Sequence, residues 1–160
     1  MRTIKFRGKK ANTNEWVYGD LLHIAGGCII YHGSKTECEN KENVGAALEL
    51  FADEFSVVIP ETVGQSICLF DKNYKEIYEG DICFNSNKTL ITSPEDKKLY
   101  LVKWKNGSYI ETNGHTWLGE HPEFIFEKIN HGKRFMSLIF NQNQIEVVGN
   151  VFDNVDLVSF

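Results

Sequence analysis

KEIYEGDI, residues 75–82, ends as NEWVYGDL, residues 14–21, does: a mixed aromatic stretch closes on Gly-Asp and a large aliphatic residue. Aligned on Gly-Asp, Asn12 meets Asn73, Glu15 meets Glu76, Gly19 meets Gly80 and Asp20 meets Asp81, while Trp16 meets Ile77 and Leu21 meets Ile82. A second echo follows in the same order. ETVGQ (61–65) resembles EVVGN (146–150), setting Glu61 against Glu146, Val63 against Val148 and Gly64 against Gly149. Together the echoes predict one domain over 1–160 made of two tandem small β units, barrel-like or meandering, related by an internal pseudo-repeat. Their approximate spans are 1–70 and 71–160, with insertions over 33–56 in the first and over 85–97 and 113–133 in the second. Each motif has a structural reading. Gly before Asp permits an unusual backbone angle or a close strand approach. Asp at such a place bonds nearby backbone N–H groups. The Gly of VGQ and VGN marks a bulge or a tight corner in a curved sheet.

Outward from these motifs, the chain reads as short strands with turn punctuation. TIKFR alternates, with Ile4 and Phe6 on one side and Thr3, Lys5 and Arg7 on the other. KKANTN is a polar turn before EWVYGDLLHI, which gives an N-terminal hairpin. GGCIIYH is a short apolar strand after a Gly-Gly break. Val44, Leu48 and Phe51 fall at helical spacing in VGAALELFADEF and predict one short helix. SVVIPETVGQSICLF is β-rich on both sides of Pro60, a residue that suits a strand edge or bulge. In LYLVKWKNGSYIET, Asn106-Gly107 suits a two-residue type I′ hairpin, which would set Trp104 opposite Tyr109 and Lys103 opposite Ile110. EHPEFIFEKI reads as a short helix near Pro122 or an irregular loop, with a strand from Glu123 to Glu127 as the alternative. RFMSLIF and QIEVVGNVF read as two closing strands joined by NQNQ. The class is mainly β, all-β with one or two short helices.

Composition narrows the functions. The 160 residues are 42% hydrophobic and 12% aromatic, ample for a core, and 3 Pro with no low-complexity tract argue against disorder. A net charge of −5 argues against a general binder of nucleic acid or anionic membrane, which would need clustered Lys and Arg. No apolar run approaches the roughly 18 residues of a membrane span. MRTIKFRGKK lacks the apolar stretch of a signal peptide, so the expected location is the cytoplasm of the host cell. Cys28, Cys38, Cys68 and Cys83 form no CxxC pair and are expected to stay reduced. Cys68 and Cys83 read as small buried apolar residues, and no zinc-ligand spacing is present.

Three clusters bear on chemistry. The pairs Asp20/Asp81 and Glu61/Glu146 are carboxylates that can do acid–base work or hold a metal if they converge, yet each also has a ready role in a turn or strand end. Among His23, His32, His115, His121 and His131, the pair His115 and His121 lacks the i, i+4 spacing of a helical metal site. Lys97, Lys98, Lys103 and Lys105 lie near Tyr100, Trp104 and Tyr109, a basic and aromatic mix suited to stacking single strands. Strand alternation separates them, however, with Tyr100, Val102 and Trp104 inward and the lysines solvated. No phosphate loop, nucleophile elbow or dinucleotide fingerprint occurs. No catalytic, cofactor-binding or metal residue is assigned, no cofactor is expected, and the binding residues stay open.

VIPETVGQ, then LFDKNYKEIYEGDI, then IEVVGNVFDN resemble the YopX family of phage and prophage proteins, and IKFR and WVYGDLL fit the same pattern. The resemblance covers most of the chain. Tyr74 stands where the family pattern carries Gly, and CLF stands where TGL is more usual before DKN. The resemblance implies a mostly β fold of small barrel-like units, self-association and a mobile-element origin; it supplies no reaction and no catalytic residue. The expectation is a phage or prophage accessory protein acting as a protein-interaction or self-assembling β module, as a homo-oligomer or with another phage or host protein. Exposed strand edges would serve such pairing. The alternatives are a single-stranded nucleic-acid-binding protein and a metal-dependent enzyme using the Asp and Glu pairs.

Overall fold

Alternation in the first strand sets the first hairpin. The computed structural model describes residues 4–33, 52–86, 99–105, 110–112, 115–117, 123–129, 135–136 and 142–158. The chain divides into two units, Met1–Ser66 and Ile67–Phe160. In the first, β1 (Phe6–Lys9) pairs antiparallel with β2 (Trp16–Ile24), Phe6 opposite Gly19 and Lys9 opposite Trp16. The polar loop between them is closed by the Lys10 N–H donating to the Glu15 carbonyl at 2.9 Å. β2 turns into β3 (Gly27–Tyr31) through Ala25-Gly26, whose φ angles of 49° and 81° are those of a type I′ hairpin. β4 (Phe55–Val58) completes the meander, with Ile29 opposite Val57.

A 3-10 turn, Pro60–Thr62, then leads to β5 (Gly64–Phe70), whose first residues return to β1 with Arg7 opposite Gly64. Pro60 therefore opens a helical turn rather than sitting at a strand edge or bulge; its fixed φ and missing N–H suit that first position. The strand order in this unit is β4-β3-β2-β1-β5. The end of β1 also touches β4 through an isolated Lys10–Val58 bridge, so the sheet curls toward its own first strand. Val17, Cys28, Ile30 and Val58 fill the curl, flanked by Leu21 and Val63.

In the second unit, β5 ends beside β6 (Glu76–Tyr78). Then come β7 (Asp81–Asn85), β8 (Leu99–Lys105), a separate hairpin of β9 (Ile110–Thr112) and β10 (His115–Trp117), β11 (Glu123–Lys128), β12 (Phe135–Met136) and β13 (Ile145–Asn150). The five-stranded order is β12-β11-β8-β7-β13. The strand order runs as in the first unit: a meander grows from the opening strand, and the last strand returns antiparallel to that opening strand. A 3-10 turn, Gln142–Gln144, again precedes the last strand. The core is larger: Ile67, Ile77, Cys83, Tyr100, Val102, Phe124, Phe126 and Ile145. Fully burying one such large side chain contributes roughly 1.5–3 kcal/mol. The described strands make open antiparallel sheets, not closed barrels.

Several expectations change. Residues 123–128 are a strand, not a helix or loop, because β8 pairs along their whole length from Glu123–Lys105 to Lys128–Tyr100. Phe124, Ile125 and Phe126 are all buried, so both faces are covered and the run carries no period to mark it as a strand. Lys103 lies opposite Ile125 and Ile110 opposite Trp117, so β8 does not pair with β9 in the predicted register. The Asn106-Gly107 turn and Tyr109 lie outside the described residues. β12 and β13 are not a joined pair but sit at opposite edges of the sheet. The helix expected from Val44 lies outside the described residues except for a 3-10 turn at Ala52–Glu54.

The Gly-Asp echo does not mark one recurring local structure. Gly19 lies inside β2, where a Cβ would collide with the Tyr31 carbonyl, and Asp20 is exposed. Gly80 lies in the turn before β7 at φ 83°, a region costly for any residue with a Cβ, and Asp81 is buried. By strand order the counterpart of β7 is β1, not β2. The second echo fares better: Gly64 and Gly149 both lie in last strands, and the register shift between Val147 and Gly149 is the bulge expected there. Glu61 nevertheless sits in a 3-10 turn and Glu146 in a strand.

Candidate interaction surface

Directly opposed residues of an antiparallel ladder share a face, and residues two apart along a strand share it as well. With the core side chains of the first unit pointing inward, the ladder puts Leu22, Ile29 and Val57 in one row across β2, β3 and β4 on the outer face. Leu22 is 40% exposed and Val57 63%. The next row is Asp20, Tyr31 and Phe55, with the Tyr31 and Phe55 rings 5.0 Å apart between centroids. Tyr18 and Ile24 extend the exposed apolar positions along β2. At the other end of the face, Arg7 and Lys9 lie 4.7 and 5.4 Å from the centre of the Trp16 ring, contacts in which a cation is held by the ring's negative face.

The edge of this face falls into a cleft of about 390 Å³ lined by Lys10, Ala11, Asn12, Phe55, Ser56 and Val57. The Ala11 N–H donates to the Val57 carbonyl at 2.9 Å and fixes one wall. Ser56 Oγ is 3.0 Å from His32 Nε2, and Lys10 Nζ is 3.7 Å from a Glu15 carboxylate oxygen.

The second unit carries a rigid turn between β5 and β6. The buried Asp71 carboxylate accepts the N–H groups of Asn73 at 2.8 Å, Lys75 at 2.9 Å and, from β13, Val147 at 3.0 Å. Burial works to raise its pKa, but these three donors, with the nearby Lys75 charge, outweigh burial and hold the carboxyl below the ordinary aspartate value. Lys72 adds a 2.6 Å ion pair to Glu146, and its N–H donates to the Ile145 carbonyl at 2.9 Å. At the tip stands Tyr74, at φ 62° and 89% exposed.

The sequence-derived candidates are distributed otherwise. Asp20 and Glu61 belong to the first unit, both exposed. Asp81 and Glu146 belong to the second, where Asp81 accepts the Tyr78 N–H at 2.8 Å and Glu146 pairs with Lys72. Among the described residues no group of three or more His, Cys, Asp or Glu is placed to hold a metal ion. In the basic cluster, Tyr100 is buried, Lys103 pairs with Glu127, and Trp104 stacks edge-on against Phe124 at 4.8 Å while staying half exposed. Only Trp104 of its described aromatics is thus open to a base; Lys97, Lys98 and Tyr109 lie outside the described residues. Cys28 and Cys83 are buried thiols, Cys68 is half-buried at φ 57° rather than a plain core residue, and Cys38 lies outside. His23 and His32 are exposed; His115 lies in β10, while His121 and His131 lie outside. No helix among the described residues is long and apolar enough to cross a membrane.

The outer row was missed in the sequence. LLHI, CII and VV read as strands, but which residues oppose one another depends on the turn. The Ala25-Gly26 turn was the available signal, because it alone sets Leu22 opposite Ile29.

The fold and surface define a class: a mainly β protein of two antiparallel units with an exposed apolar sheet face. Among known families, the YopX protein family matches residues 5–159, and the chain belongs to that family. Among solved structures, the crystal structure of protein EF1440 from Enterococcus faecalis is similar over 99% of this chain and 100% of that one, at 19% identity and a TM-score of 0.47. No curated protein matches the chain.

Proposed function

We propose that this YopX protein is a phage or prophage accessory protein, working in the host cytoplasm, that acts by binding another protein chain. Two related β modules in tandem form its scaffold. The observation that carries the reading is the Leu22–Ile29–Val57 row. Isolated apolar residues are common on any surface, but a contiguous row across three strands keeps water on apolar area that a partner would release. The nearby aromatic residues Tyr18, Tyr31 and Trp16 are of the types that dominate binding energy at interfaces, while the cations Arg7 and Lys9 beside them are buried.

The test is photocrosslinking in infected or induced host cells. Benzoylphenylalanine at position 22 is expected to capture one defined protein species. The same group at the exposed position 61, on the 3-10 turn, is expected to give background alone. Equal, diffuse labelling from both positions would overturn the reading.

A further inference from the structure

We propose that the partner of the first unit's outer face is a basic chain, which docks an arginine on the Tyr31 and Phe55 rings beside the carboxylates of Asp20 and Glu54. The inference rests on the binding role of that face and names the chemistry of what binds it. In the ladder, Asp20, Tyr31 and Phe55 form the row next to Leu22, Ile29 and Val57 and share its face. Both rings of that row are partly exposed. Two residues past Tyr31, a Cβ on Gly33 would overlap Oε2 of Glu54 and come within 2.6 Å of the Tyr31 hydroxyl oxygen. The Glu54 carboxylate therefore occupies the place that a side chain at position 33 would take, next to the phenol. Its Oε2 is shielded from solvent and meets no hydrogen-bond donor among the described residues. A carboxylate oxygen in that state has given up water without a replacement, and a docked cation would supply one. Asp20, directly across the ladder from Tyr31, is exposed.

The charges around this spot are one-sided. Glu15, Glu127 and Glu146 each face a lysine, whereas Asp20 and Glu54 face none among the described residues. Arg7 and Lys9, cations of the same face, are buried at its β1 end, close to the Trp16 ring. The open part of the face is thus apolar along one row and negative at the next, and a complementary partner is apolar with a cation beside its apolar contact.

Arginine suits the spot better than lysine. A guanidinium stacks on an aromatic ring, forks onto a carboxylate and sheds water more readily than an ammonium does. The rings that would receive it are 5.0 Å apart between centroids. Rows two residues apart along a strand are separated by roughly 7 Å, so the partner presents an aliphatic side chain at about that distance from its arginine.

The test reads the adduct from benzoylphenylalanine at position 22 in infected or induced host cells. Asp20→Asn combined with Glu54→Gln keeps the shape of both side chains and removes both charges. It is expected to melt as the parent chain does and to lower the adduct yield roughly tenfold. Asp20→Asn alone, at an exposed position that the fold does not depend on, is expected to lower the yield several-fold. Glu61→Gln, on the 3-10 turn, is expected to leave it unchanged. Sequencing of the crosslinked peptide is expected to find a different protein, with an arginine within about four residues of the captured site. Undiminished adduct from the charge-removing variants, a captured peptide without such an arginine, or capture of a second copy of this chain would each overturn the basic partner while leaving the binding role in place. Absence of any defined adduct from position 22 in the parent chain would overturn the binding role and this inference with it, so the two failures are told apart.

Discussion

The two units follow one strand order and dispose of their apolar residues differently. In the second, large apolar residues are buried on both faces of the sheet: Val102 and Phe126 on one side, Ile82 and Ile125 on the other. In the first, Ile30 and Val58 are buried on one face while Leu22 and Val57 stay exposed on the other. The same topology thus supports a sheet with buried apolar residues on both sides and a sheet whose outer side is buried at β1, by Arg7 and Lys9, and open across β2 to β4. A free apolar face costs solubility and adds little to the stability of the folded chain, and the proposed binding role rests on that difference.

The ties that hold the last strands differ in the same spirit. In the second unit the tie is ionic, the Asp71 carboxylate gripping three backbone N–H groups. In the first it is neutral: Thr62 Oγ1 accepts the Lys9 N–H at 2.9 Å and donates to the Ile59 carbonyl at 2.7 Å. The largest expected effect follows. Asp71→Ala leaves several N–H groups without their acceptor and is expected to cost about 3–5 kcal/mol in urea unfolding. Because the folded carboxyl titrates below the ordinary value of 3.8, the unfolded chain binds more protons in acid. The contribution of Asp71 is therefore full above that value and lost as pH falls through the lowered folded-state pKa. Asp71→Asn is expected to lose stability at neutral pH and to show a shallower acid limb than wild type.

A smaller effect separates the two Gly-Asp segments. Asp81→Ala strips the acceptor from the Tyr78 N–H in a buried site and is expected to cost about 1–3 kcal/mol. Asp20→Ala, at an exposed position, is expected to change stability by no more than about 0.5 kcal/mol. Equal losses, measured by thermal melts, would restore the equivalence of the two segments.

Much of this fold was legible. Alternation and turn residues mark β1, β2 and β3, and the β-rich stretch around Pro60 contains β4 and β5. What the chain hides is tertiary. The dipeptide Gly-Asp recurs because two unrelated constraints both demand glycine: close approach of Tyr31 at Gly19, positive φ at Gly80. Asp71 reads as an ordinary turn residue, since its bond to Val147 spans 76 positions. FIF at 124–126 is apolar on every side and gives no period. The candidate surface was half visible: sequence shows Leu22, Ile29 and Val57 as strand residues, while only the ladder shows that they line up and lie apart from the described core of the first unit.

The most direct check compares the two faces of the first unit by denaturant midpoint. Leu22→Lys combined with Val57→Lys is expected to unfold within about 1 kcal/mol of wild type, as exposed positions allow. Ile30→Lys, which places a charge in the buried core, is expected to lose several-fold more. Should the double variant fall as far as Ile30→Lys, the row belongs to the core and the docking face does not exist.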